Sequence, residues 1–71
     1  MVRLNGVEYD HRPGMSLKDL VDDYNTDHHK KLAFDGFVVL VNSSALTALQ
    51  AQERTLLDND NILIIPLLDG G

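Results

Sequence analysis

The stretch that most constrains this chain is Ile62-Leu63-Ile64-Ile65-Pro66-Leu67-Leu68-Asp69-Gly70-Gly71. Four consecutive β-branched or leucine residues before a proline read as a short strand buried on both faces. Pro66 has no N–H to give to a ladder, so regular pairing is expected to stop at or near it. Residues 66–71 then leave the body of the protein as an extended, flexible tail. An apolar strand near a terminus is ordinarily followed by polar, fraying residues, whereas this one is followed by a diglycine. With no Cβ atoms, Gly70 and Gly71 can enter a channel too narrow for side chains and present an α-carboxylate there.

The rest of the chain must supply a partner sheet for that strand, and it has few residues with which to do so. At 71 residues and 7.9 kDa it is expected to be one domain, residues 1–71, near the lower limit for an unstapled core. It contains no cysteine, which excludes disulfides, Cys-ligated zinc and side-chain thiol chemistry. A hydrophobic fraction of 44% with 24% charged residues belongs to a folded domain. The net charge of −5 weighs against nucleic acid and anionic membranes as partners, since both require a basic face. Met1-Val2-Arg3-Leu4 enters a strand pattern directly, and no apolar run approaches the length of a membrane span, so a cytoplasmic location is expected.

Val2 and Leu4 alternate with polar residues, Asn5-Gly6 follows, and Val7 and Tyr9 alternate again. Asn-Gly between two alternating segments specifies a hairpin, because both central residues of a type I′ turn need positive φ. Arg12-Pro13-Gly14 is a further turn. Ser16 with Asp19 three residues on is a capping box, with Met15 and Leu20 placed as a hydrophobic staple. Leu17, Leu20, Val21 and Tyr24 form one helical stripe, opposite Lys18, Asp19, Asp22 and Asp23. The helix ends at Asn25-Thr26-Asp27 or runs one or two turns further. Asp35-Gly36 turns the chain into Phe37-Val38-Val39-Leu40-Val41, a central strand apolar on both faces. A short edge strand is expected around 45–48 and a helical turn near 50–56. Asp58-Asn59-Asp60-Asn61 is a polar turn into the final strand. The last strand should run beside the first, with the single helix covering one sheet face. The fold class is α+β with a mixed sheet of four to five strands.

Two constellations suggest metals and fail on inspection. His28-His29 with His11 lacks a completing ligand set, and adjacent histidines diverge on a helix. Asp58-Asn59-Asp60-Asn61 resembles the start of a calcium loop, but the positions that need Gly and Glu hold Leu63 and Asp69. No nucleophile–base pair or phosphate loop is visible, so the chain is read as a non-enzyme.

The order hairpin, helix, strand, polar turn, strand and Gly-Gly resembles the ubiquitin-like β-grasp sulfur carriers of the ThiS and MoaD type. The resemblance spans the whole chain and is most specific in Val2-Arg3-Leu4-Asn5-Gly6, in Val39-Leu40-Val41-Asn42, and from Leu57-Asp58-Asn59-Asp60-Asn61-Ile62 to Gly70-Gly71. It departs at Leu46-Thr47-Ala48 and Ala51, where ThiS chains commonly carry Val-Pro-Arg and Trp. The segment from Asn25 to Gly36 looks longer than in compact ThiS proteins, and the ending Ile65-Pro66-Leu67-Leu68-Asp69-Gly70-Gly71 is similar to the proline-containing endings of MoaD.

The resemblance implies a carrier whose Gly71 carboxylate is adenylated and converted to a thiocarboxylate, with Gly70 and Asp69 threading into the partner. The carrier would bind no cofactor itself, because ATP and magnesium belong to the activating enzyme. Implied partners are a ThiF/MoeB-like adenylyltransferase, a cysteine desulfurase as sulfur donor, and a ThiG-like thiazole synthase or the large subunit of molybdopterin synthase. Thiazole formation in thiamine biosynthesis is the leading role. The alternatives are a molybdopterin synthase small subunit, or a ubiquitin-like modifier or binding module. Leu67 and Leu68 are expected to dock the tail, joined by a sheet patch built from Phe37 or Val39.

Overall fold

In the computed structural model, which describes residues 1–67, each turn forms where its chemistry requires. Asn5 and Gly6 both take positive φ, 51° and 84°, and close the hairpin between β1 (Val2–Leu4) and β2 (Val7–Tyr9). The register pairs Val2 with Tyr9 and Leu4 with Val7. At Arg12-Pro13-Gly14 the Met15 N–H donates to the Arg12 carbonyl at 3.0 Å, with Gly14 at φ 80°.

Helix α1 spans Leu17–His28, so it ends one residue past Asn25-Thr26-Asp27, and the alternative of one or two further turns does not form. The capping box is present: the Asp19 N–H donates to Ser16 Oγ at 3.0 Å, and the Ser16 N–H donates to Asp19 Oδ2 at 3.3 Å. His29 stops the helix in the left-handed region, its N–H donating to the Asn25 carbonyl. The Asn25 side chain then fastens the following loop, donating to the Leu32 carbonyl and accepting from the Leu32 N–H, both at 2.9 Å. This holds Leu32 and Phe34 against the core.

Strand β3 (Phe37–Val41) turns through Asn42 and Ser43, both at positive φ, into β4 (Ser44–Leu46). The edge strand therefore begins at 44 rather than 45 and ends at 46 rather than 48. Asn42-Ser43 makes a two-residue hairpin turn between β3 and β4. Helix α2 is Ala48–Glu53, started by a second capping box in which the Gln50 N–H donates to Thr47 Oγ1 at 3.1 Å. It thus lies earlier than the turn expected near 50–56, because Thr47 is the better start signal. No helix among the described residues is long and apolar enough to cross a membrane.

The last strand, β5 (Asn61–Pro66), inserts between the two hairpins, giving the order β2-β1-β5-β3-β4. It is parallel to β1 and antiparallel to β3, so the sheet is mixed, as expected. Beneath it, α1 and α2 enclose a core of Val2, Leu4, Leu17, Leu20, Val39, Leu56, Ile62 and Ile64, each nearly solvent-free. Each such aliphatic side chain contributes about 1.5–3 kcal/mol by leaving water. Five strands wrapped on one long helix make this an α+β fold of the ubiquitin-like β-grasp type.

Candidate functional site

Strand β5 carries the chain toward the diglycine, and neighbours on both sides hold it. Toward β3 the ladder runs from Val41 opposite Ile62 to Phe37 opposite Pro66. Toward β1 the Asn5 N–H donates to the Ile62 carbonyl at 2.9 Å, just past the end of that strand. The Asn5 side chain continues the ladder, accepting from the Ile64 N–H at 2.9 Å and donating to the Ile64 carbonyl at 3.2 Å.

The start of β5 is fixed by Asn42 and Asp60. Asn42 Oδ1 accepts from the Asn61 N–H at 2.9 Å, while its Nδ2 donates to Asp60 Oδ1 at 2.8 Å. The other Asp60 oxygen accepts from the Leu57 N–H at 2.8 Å and from Arg54 Nη2 at 3.0 Å. Asp60 is 4% exposed. Burial pushes its carboxyl upward, but the Leu57 amide, Asn42 and Arg54 together outweigh that and hold it below the usual aspartate range. The turn residue expected to be a polar connector is thus a buried anchor. The one cue in the residues is that an Asp placed three residues after Leu57 can reach back to cap the turn.

Pairing does not stop before Pro66. In an antiparallel ladder, bonded and non-bonded pairs alternate. The Asn42–Asn61 and Gly36–Leu67 bonds, 2.8 and 3.1 Å, set the phase so that the Phe37–Pro66 pair is a non-bonded one. The missing N–H of Pro66 would have pointed away from β3, so it costs no ladder bond. Regular pairing thus ends at or near Pro66, as expected, but Pro66 itself, expected to open the tail, still belongs to β5, and the Leu67 N–H is still bonded to Gly36.

Alternation along β5 divides it into two faces. Ile62 and Ile64 are buried, while Leu63, Ile65 and Leu67 are 41%, 49% and 59% exposed. The expectation that this strand is buried on both faces is therefore corrected. One helix covers one side of a sheet, and the other side stays open. Val38 pairs with Ile65, and Leu40 with Leu63, so these half-buried residues share the open face. Ala45 continues the row opposite Leu40. At the β1–β2 side, Arg3 Nη2 and Glu8 Oε1, 3.3 Å apart, make a charged rim. The docking patch expected from Phe37 or Val39 is also corrected. Val39 is buried in the core and Phe37 packs against it, since odd positions of β3 face the helices. Leu63, Ile65, Val38 and Leu40 lie on the uncovered face instead. The signal for them was available, because a single amphipathic helix leaves one sheet face without a cover.

Leu67 is where a docking residue would be useful, at the exit of the strand. Leu68, Asp69, Gly70 and Gly71, together with the flexible character expected of the tail, lie outside the described residues. The histidines have separate occupations. His11 Nε2 lies 2.9 Å from the Leu56 carbonyl, the His28 ring centroid is 4.5 Å from that of Tyr24, and His29 caps α1. Among the described residues no group of three or more His, Asp or Glu is placed to hold a metal.

A search of curated proteins gave no match to this chain. A protein-family model does match, that of the ThiS family, over residues 2–71. The match takes in the anchored β5, the open apolar face and the diglycine within one pattern, and it places this β-grasp chain in the ThiS family.

Proposed function

We propose that the chain is a sulfur carrier for thiazole formation in thiamine biosynthesis, with sulfur borne on the carboxyl of Gly71. Its family supports the carrier role in general. A docked tail is supported by one observation: the exposed stripe Leu63–Ile65–Leu67 lies on the strand that precedes Asp69, Gly70 and Gly71 in the sequence. The whole span 1–71 acts as the carrier unit. Leu67 and Leu68, with the open face, dock on a ThiF-like activating enzyme while the glycines thread into its channel.

A carboxylate is a poor electrophile until it is joined to AMP, after which AMP leaves and sulfur takes its place. ATP, magnesium and the stabilisation of developing charge belong to the activating enzyme. The carrier contributes anchoring, a thin tail and a docking face. A cysteine desulfurase supplies sulfur, a ThiG-like synthase receives it, and the reaction is cytoplasmic.

The test is intact mass after incubating the full chain with a ThiF-type enzyme, ATP, magnesium and a sulfur source. A gain of about 16 Da, sulfur for oxygen in a nucleophilic exchange, is expected, with fragmentation placing it on Gly71. No adenylate and no mass change across several activating enzymes would overturn the reading in favour of a binding module. Thiocarboxylate that is consumed by a molybdopterin synthase large subunit, and not by a thiazole synthase, would move the chain to the other pathway.

A further inference from the structure

Asn5 is followed by Gly6, the arrangement in which a backbone nitrogen is least hindered from attacking the preceding side-chain amide. The other asparagines precede Thr26, Ser43, Asp60 and Ile62, all of which carry a Cβ. Gly6 is exposed, and a Cβ built on it would meet nothing within 4 Å, so a cyclic intermediate has room to form there. The Asn5 amide itself is occupied: its oxygen and nitrogen are both hydrogen-bonded to Ile64.

We propose that Asn5 is a deamidation site gated by its clamp on Ile64, and that its conversion loosens the strand leading to the tail. The Gly6 nitrogen attacks Cγ of Asn5, the N–Cγ bond forms, and the Cγ–Nδ2 bond breaks. Ammonia departs with the proton given up by the Gly6 N–H. Water then opens the cyclic imide at either carbonyl, leaving aspartate or isoaspartate. For Cγ to reach the Gly6 nitrogen, both bonds to Ile64 must open, so the folded chain reacts through a locally opened state. The product cannot restore both bonds: an oxygen can still accept from the Ile64 N–H, but the bond to the Ile64 carbonyl is lost. A carboxylate has no hydrogen to give the Ile64 carbonyl, and one of its oxygens now faces that carbonyl oxygen. Isoaspartate also lengthens the backbone within the hairpin turn that sets the β1–β2 register.

The full chain is held at mildly alkaline pH, with and without unfolding concentrations of urea, and conversion is followed by peptide mass mapping. Asn5 should convert ahead of every other asparagine in urea, and about tenfold or more slowly in the folded chain. The converted fraction, and directly made Asn5→Asp, should unfold at lower urea with faster hydrogen exchange at the Ile64 amide. Equal rates with and without urea would overturn the gating. An unchanged urea midpoint and unchanged Ile64 exchange after conversion would overturn the link to β5. The rate comparison uses the unaltered chain, so it decides the gating even for an Asn5→Asp variant that fails to fold, and the naturally converted fraction then decides the link to β5.

Discussion

Asn42 donates from Nδ2 to Oδ1 of Asp60 across 2.8 Å, joining the β3–β4 turn to the turn that launches β5. Asp60 also gathers the Leu57 N–H and Arg54, so three donors converge on one buried carboxylate. Asp60→Ala leaves the Leu57 N–H, the Asn42 amide and the Arg54 guanidinium without that acceptor. Arg54 retains partial solvent access at 31% exposure, which moderates the cost. The expected loss is about 2–3 kcal/mol, measured by urea unfolding. A change within about 0.5 kcal/mol would show that the cluster is decorative.

The same carboxylate sets an acid limit. Its folded pKa lies below the ordinary value of about 3.9. Its contribution is therefore complete above that value and fades as pH falls through the folded one. Asp58 is also held low, first by its hydrogen bond from the Met1 ammonium, and adds a drop of the same sign. That pair is exposed and yields to salt, whereas Asp60 is buried. Unfolding midpoints followed from pH 6 to 2 should fall below about pH 4. Most of that fall should survive high salt in the parent and disappear in Asp60→Asn.

On the open face, Leu63→Asp with Ile65→Asp should leave the fold within about 1 kcal/mol of the parent, because both residues are already exposed. Adenylation by the activating enzyme should drop at least tenfold. Leu67→Asp should behave alike. Val39→Asp serves as the contrast, since it buries a charge and should cost more than about 3 kcal/mol. Normal adenylation of the Leu63/Ile65 double variant would remove the open face as a docking surface.

Pro66 sits where its absent N–H has no partner on β3. Pro66→Ala should therefore lose only about 0.4–1 kcal/mol, the part that comes from a looser unfolded chain. Hydrogen exchange at the Leu67 amide, bonded to the Gly36 carbonyl, should remain slow in both proteins. A Leu67 amide that becomes fast-exchanging in Pro66→Ala would mean that the proline's rigidity, and not the ladder, holds it.

Much of this architecture is legible in single residues whose chemistry admits one local answer. Asn5-Gly6 forces a hairpin, Ser16 with Asp19 starts a helix, and Phe37–Val41 can only be a central strand. The faces of β5 were not legible in the same way. Ile62 to Ile65 are all apolar, so alternation cannot separate core from surface, and only the count of covering helices decides it. Pro66 marks the end of the ladder but not on which side of the strand its missing N–H falls, because that depends on ladder phase, a property of the pair and not of the strand alone. Asn5, Asn42 and Asp60 look like turn formers in isolation. Their second occupation, fastening β5, depends on groups far away in the chain, up to 59 residues in the case of Asn5 and Ile64.

The central position of β5 also makes it a checkpoint during synthesis. Every element before it, from β1 to α2, leaves the ribosome earlier, yet among the described residues it is β5 that pairs with both β1 and β3 and joins them in one sheet. A nascent chain halted before Asn61 lacks the strand that joins the two hairpins, so the five-stranded sheet cannot close. Incomplete products therefore stay open to proteases, while a chain that has folded has already acquired the strand that leads to its diglycine.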